Sequence, residues 1–193
     1  MKTIIASICS NLFDFLIIFF GFLVALIMLK LLVAPVQIFF VPSYALPSAS
    51  WLFLPHGIRV LSGWFYREKS VLPLALADFF AFYFFVGTDF STSVLAGLIG
   101  GLSVLIVIKL FELAKVDMQI HAPNNFTWRA ILLVGFLSSV FNAFGKIYLR
   151  RHQLTGTELV TEQLTFVMGS TMGTVAVFLI LMWGFRLIRK YGH

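Results

Sequence analysis

His56 and Arg59 stand three residues apart in Leu52-Phe53-Leu54-Pro55-His56-Gly57-Ile58-Arg59, a stretch otherwise apolar enough for a lipid bilayer. On a helix that spacing puts both side chains on one face. Imidazole and guanidinium together could hold an anionic ligand. An arginine at membrane depth is costly, however, and ordinarily faces a polar interior or a partner. Asp78, in Leu74-Ala75-Leu76-Ala77-Asp78, is the carboxylate placed to be that partner. Arg59 precedes Arg67 by eight residues, and Asp78 follows Lys69 by nine. If the chain reverses at the Arg67-Glu68-Lys69 turn, the two depths agree to about 1–2 Å, given a rise of about 1.5 Å per residue. Two readings stay open for Arg59: half of a mid-membrane ion pair, or a ligand contact with His56 in the outer half of the bundle.

The remaining polar groups within apolar stretches are few. Asn142 lies in Ser138-Ser139-Val140-Phe141-Asn142, and a buried asparagine needs partners. Ser170, Thr171 and Thr174 lie in Gly169-Ser170-Thr171-Met172-Gly173-Thr174, where hydroxyls either bond across helices or line a ligand cavity. Gly169 and Gly173 in that segment, and Gly97, Gly100 and Gly101 in Ala96–Gly101, have the small-residue spacing of close helix packing. Asp14 reads as an interfacial carboxylate, and Lys109 with Glu112 as a surface pair three residues apart.

These groups need a hydrophobic frame, and composition supplies one. Of 193 residues, 60% are hydrophobic and 11% charged, whereas soluble domains run near a quarter charged. The continuous apolar runs suit helices better than the alternating strands of a barrel. Six segments are predicted to span: Leu12–Ala34, Trp51–Tyr66, Ser70–Gly87, Ser91–Leu113, Ala130–Leu149 and Gln163–Phe185. The chain is a single polytopic domain, residues 1–193, of all-α integral membrane class, a bundle of about six transmembrane helices. Pro55 suits the first turn of the second segment, where its missing N–H costs nothing. Trp51–Leu54 then forms an extended or interfacial entry.

Orientation follows from basic residues. Lys2, Arg67, Lys69, Lys109, Lys115, Arg129 and the cluster Arg186, Arg189, Lys190 fall on one side, whereas Lys30, Lys146, Arg150 and Arg151 fall on the other. The positive-inside rule then gives N-in, C-in. Pro35–Ser50 is uncharged and carries three prolines, which argues for an irregular outer loop, either re-entrant over the bundle mouth or a plain connector. His152–Gln163 reads as a second outer loop turning at Gly156.

The net charge of +6 is explained by those inner basic residues, and no basic stripe with interleaved aromatics implies nucleic acid. A single cysteine, Cys9, excludes an intrachain disulfide, and Ile8 before it does not suit a lipid-attachment site. Four scattered histidines, with no phosphate loop, metal-spaced histidine pair or nucleophile elbow, point to no enzyme, metal or cofactor.

An uncharged outer loop leads into Trp51-Leu52-Phe53-Leu54-Pro55-His56-Gly57-Ile58, then a helix, a short basic turn, a proline and another helix through Asp78. Late in the chain come Gly135–Leu149 and Leu164–Trp183. In this order the pieces resemble the first-described MASE family, the bacterial membrane-associated sensor domains. Two features depart from it: the family usually has more spans than the six counted here, and Ser170 stands where its characteristic acid follows glycine. No signalling module such as a GGDEF or kinase domain is present in this chain. The resemblance implies a bacterial inner-membrane sensory protein that binds a small ligand and signals through a membrane or cytoplasmic partner. A small-solute transporter, or the substrate-binding component of one, is the rival expectation; a structural subunit of a membrane complex is a third.

Overall fold

The structure is a computed structural model that describes residues 2–40, 50–116, 127–151 and 156–191. Among these residues every regular element is helical. In chain order they are α1 (Lys2–Met28), α2 (Ala34–Phe40), α3 (Leu54–Tyr66), α4 (Val71–Phe80), α5 (Phe90–Leu113), α6 (Thr127–Arg150) and α7 (Gly156–Tyr191). Five helical runs are long and apolar enough to cross a membrane: Cys9–Phe40, Leu54–Val86, Phe90–Leu113, Trp128–Arg150 and Leu159–Tyr191. Large apolar side chains such as Phe13, Phe20, Phe84, Phe90 and Phe185 point outward, the surface a lipid solvent selects.

The run Leu54–Val86 folds back on itself. An unbroken helix would hold Arg59 and Asp78 roughly 28 Å apart, yet their charged groups lie 2.8 Å apart. The reversal falls at Arg67, whose backbone takes φ 51° and ψ −126°, followed by one turn of 3-10 helix over Arg67–Ser70. Ser70 Oγ bonds the Arg67 carbonyl at 2.6 Å and closes the turn. Arg67 pairs with Glu112 at 2.7 Å, Glu68 with Lys109 at 2.9 Å, and Lys69 approaches Asp14 at 3.8 Å. Lys109 also bonds Glu112 at 3.1 Å, so the pair predicted on α5 is part of a larger charged end. These partly exposed bonds fix direction more than stability.

α3 is the central helix. Eight of its residues are buried, Pro55, His56, Gly57 and Arg59 among them. It packs against α1, α5, α6 and α7. Val60 and Trp64 join Val104, Val107 and Ile108 of α5 and Ala130, Ile131 and Val134 of α6 in one apolar cluster. Ile18 and Phe22 of α1 meet Leu74 and Ala77 of α4 in another. The α4 leg ends in a π-helical turn, Ala81–Val86, stopped by Gly87 at φ 74°, a left-handed conformation that costs glycine little. Asp89 caps α5 by accepting from Thr92 N at 3.0 Å.

Three expectations need correction. Pro35–Phe40 is helical, not loop: α1 continues through a π-helical turn at Leu29–Val33 into α2. The widened turn loosens the backbone where the Pro35 ring would otherwise press on the preceding turn. The rest of that predicted outer segment, 41–49, lies outside the described residues. Gly156 opens α7 instead of turning a loop, so Gly156–Gln163 is helix; residues 152–155 lie outside the described set. The third correction concerns Gly169, which faces the bent chain entering α3 and not a helix, whereas Gly173 abuts Phe53 and Leu54 at the start of α3. A Cβ on Gly169 would overlap the Ser50 carbonyl, and one on Gly173 the Phe53 carbonyl, so each admits main chain at close range. Phe53 N donates to Gly169 O at 2.9 Å, and Gln37 Oε1 accepts from Ser50 Oγ and Trp51 N, each at 3.1 Å. The entry to α3 is thus held from both sides, and the helix begins at Leu54.

Candidate functional site: a buried polar ring

The hairpin of α3 and α4 brings Arg59 against Asp78, with Nη2 to Oδ2 at 2.8 Å; the side chains are 0% and 1% exposed. The close approach depends on Gly100, because a Cβ there would strike the Asp78 carboxylate. Gly97 and Gly101 have a different duty. They admit the α4 backbone, with Cβ positions 2.5 Å from Ala75 O and 2.7 Å from Val71 O. Of the predicted packing glycines on α5, two serve helix contact and one serves the ion pair.

A second cation enters from α6. Lys146 Nζ reaches the same Asp78 Oδ2 at 2.7 Å. Its ammonium lies 4.5 Å from the Phe82 ring centre and 5.8 Å from that of Phe166. Arg59 in turn lies over Phe22 at 5.3 Å. Aromatic faces attract these cations where water is excluded. Lys146 is the functional candidate that charge counting misplaces: it is expected among outer-side basic residues, yet it is buried. The signal available was spacing, since Ser138, Asn142 and Lys146 recur every four residues along one face.

His56 extends the chain of contacts. Its Nε2 lies 3.0 Å from Gly135 O, so Nε2–H donates to that carbonyl, and Nδ1 accepts from Arg59 Nη1 at 3.2 Å. Both ring nitrogens are then committed with the imidazole neutral. Ser138 Oγ also donates to Gly135 O, at 3.1 Å.

Gly135, Ser138, His56, Arg59, Asp78 and Lys146 therefore form an arc that leaves α6 at one level and returns to it three turns later. Asn142 stands between those levels on the same face. It is 0% exposed, and neither its Oδ1 nor its Nδ2 has a partner among the described residues. α7 closes the ring opposite. Thr174 packs against Gly135, with Cγ2 3.1 Å from the Cβ position there, and Phe166 meets Lys146. Ser170 lies one turn from each, fully buried, and its hydroxyl has no partner among the described residues.

Of the predicted site residues, His56, Arg59, Asp78, Asn142, Ser170 and Thr174 come together in this interior. Thr174 Oγ1 bonds Ser170 O at 3.0 Å within α7. Thr171 does not join them: it is half-buried and bonds back to Val167 O at 2.8 Å. One turn beyond Lys146, Arg150 pairs with the buried Glu162, which ties the ends of α6 and α7. No three His, Cys, Asp or Glu side chains among the described residues converge as metal ligands.

Compared with protein-family models, curated proteins and solved structures, the chain matches none. Among the described residues the fold is all-helical, with five helical runs long and apolar enough to cross a membrane and a charged, hydrogen-bonding centre.

Proposed function

We propose that the protein is a MASE-like sensory protein of a bacterial inner membrane, N-in and C-in. It would bind a small ligand in its polar ring and pass the bound state to a membrane or cytoplasmic signalling partner. Six legs follow if the α3–α4 hairpin, described as one of five apolar runs, crosses twice. The observation that carries the ligand is Asn142: a fully buried amide, unpartnered at both ends among the described residues, on the α6 face between Ser138 and Lys146. Buried polar groups are nearly always satisfied, so an orphaned one is a place where an occupant would be stabilised. The ring also touches α3, α4, α6 and α7 together, so an occupant can bias how four legs pack. The charged end built on Arg67–Lys69 and Glu112 is where such a change would meet a partner.

A second reading, a small-solute carrier, is favoured by one observation. Bent, non-helical backbone at Ser50–Phe53 is packed on α7 next to the ring, and irregular backbone beside a polar interior is a habit of transporters. Flux decides between the two. Proteoliposomes holding the protein and a gradient of a candidate anion should show no flux above empty liposomes. Sustained, protein-dependent flux would overturn the sensory reading in favour of a carrier.

A further inference from the structure

The ring is short of negative charge and of acceptors. Arg59 and Lys146 share a single carboxylate oxygen, Asp78 Oδ2. His56 is neutral by its bonding, and Glu162 is engaged by Arg150 one turn away. Among the described residues Arg59 Nε has no hydrogen-bond partner, Lys146 Nζ makes one charged bond of the three it can make, and Asn142 Nδ2 makes none. An uncompensated cation in a low-dielectric interior is far more costly than a paired one. The surplus is one positive charge, so the missing species is a monoanion. The unused groups are mostly donors, so it presents oxygen acceptors. Asn142 Oδ1 is an exception: it is an acceptor awaiting a donor.

We infer that the ring between α3, α4, α6 and α7 is a binding site for a small monovalent oxyanion that also carries a hydroxyl, held by Lys146, Arg59, Asn142 and Ser170. Hydrogencarbonate and short hydroxycarboxylates have this chemistry, and so does the phosphodiester of a phosphatidylglycerol headgroup. Gly135 and Lys146 bound the ring about three turns apart on α6, roughly 16 Å along its axis. Asp78 completes the recognition from behind by fixing both cations. This inference rests on the reading that the ring holds a ligand, and it names that ligand's class.

The test is thermal unfolding of the full chain in phosphatidylcholine nanodiscs at constant ionic strength, with a bulky sulfonate as the balancing salt. Hydrogencarbonate, glycolate, acetate and chloride are titrated in turn. A saturable rise in Tm with hydrogencarbonate or glycolate, at least several-fold tighter than with acetate or chloride, is expected, because a ligand that binds only the folded state stabilises it. Asn142→Ala should weaken that response at least tenfold. Asn142→Asp places a carboxylate inside the ring, so it should raise Tm without added anion and abolish the titration. Nanodiscs containing phosphatidylglycerol separate the sources. A higher Tm there, with the soluble anions no longer adding to it, assigns the site to lipid. A Tm that ignores every anion and the lipid, or an Asn142→Ala protein that responds as the wild type does, overturns the inference. So does a Lys146→Met protein that is more stable than an anion-insensitive wild type, because the ring would then balance itself by losing a proton. A flat titration removes the anion but leaves the sensory reading intact, whereas flux in proteoliposomes removes the sensory reading but leaves the anion.

Discussion

Gly100→Ala is expected to break the centre of the molecule while changing one hydrogen to a methyl group. The new Cβ would strike Asp78 Oδ2, sit 2.7 Å from Cγ and lie 3.3 Å from Arg59 Nη2. Asp78 cannot swing away freely, because the same oxygen holds Arg59 at 2.8 Å and Lys146 at 2.7 Å. Relief therefore requires parting the carboxylate from a cation or parting α4 from α5. Losing one partner of a buried pair costs about 3–5 kcal/mol. Against this, alanine in a helix interior is worth about 1 kcal/mol over glycine. The net expectation is a loss of about 2–4 kcal/mol, a large share of the roughly 5–15 kcal/mol that holds a domain together. Gly184→Ala is the control. Nothing lies within 4 Å of its Cβ position, so only the helix-propensity gain should appear. The assay is unfolding of both variants in mixed micelles with increasing denaturing detergent, followed by tryptophan fluorescence. If Gly100→Ala is as stable as Gly184→Ala, the carboxylate is not where the ion network needs it.

Further outcomes follow from other contacts. Gly173→Ala would press on the Phe53 carbonyl, a backbone atom that cannot rotate aside, and should destabilise by about 1–3 kcal/mol in the same unfolding assay. Asp89 is held below the usual carboxylate range, first by the Ser91 hydroxyl and then by the Thr92 amide. Its capping contribution is thus present above the ordinary carboxylate pKa of about 4 and lost as pH falls through the lower folded value. Asp89→Asn should flatten that part of the acid limb in melts between neutral pH and strong acid; an unchanged limb would refute it. For topology, a reporter after His193 should be active only in the cytoplasm and one near Ser43 only outside, and the reverse pattern would refute N-in, C-in.

The Arg59–Asp78 pair was legible because helix geometry converts residue number into depth: two legs joined by a short basic turn must bring eight-before and nine-after to one level. Lys146 was less legible because a lysine near the end of an apolar run has two fates. It can extend to the interface or turn inward, and the choice depends on Asp78 and on the faces of Phe82 and Phe166, which lie on other helices. The glycines show a similar limit. Gly97 and Gly101 meet α4 backbone as their spacing suggests, but the same spacing at Gly169 and Gly173 receives the bent entry and first residue of α3. Spacing reports that something approaches closely and does not report what. Pro35 was misleading for a local reason: the π-helical turn before it lets the helix continue past a residue that an ideal α-helix excludes. Thr171 shared a motif with Ser170 and Thr174 but falls on the wrong face of α7.

The joined triad of Arg59, Asp78 and Lys146 is tested most directly by a double-mutant cycle between Asp78 and Lys146, helices that share this contact across 68 residues of sequence. Lys146→Met removes the surplus cation and leaves Arg59 paired, so its cost should be small. Asp78→Leu leaves two buried cations facing each other and should be the most damaging single change in the ring. The coupling between them is expected near the upper end of the roughly 0.5–3 kcal/mol seen for residues in one network. A coupling near zero, or an Asp78→Leu protein as stable as Lys146→Met, would contradict a shared carboxylate at the centre of the bundle.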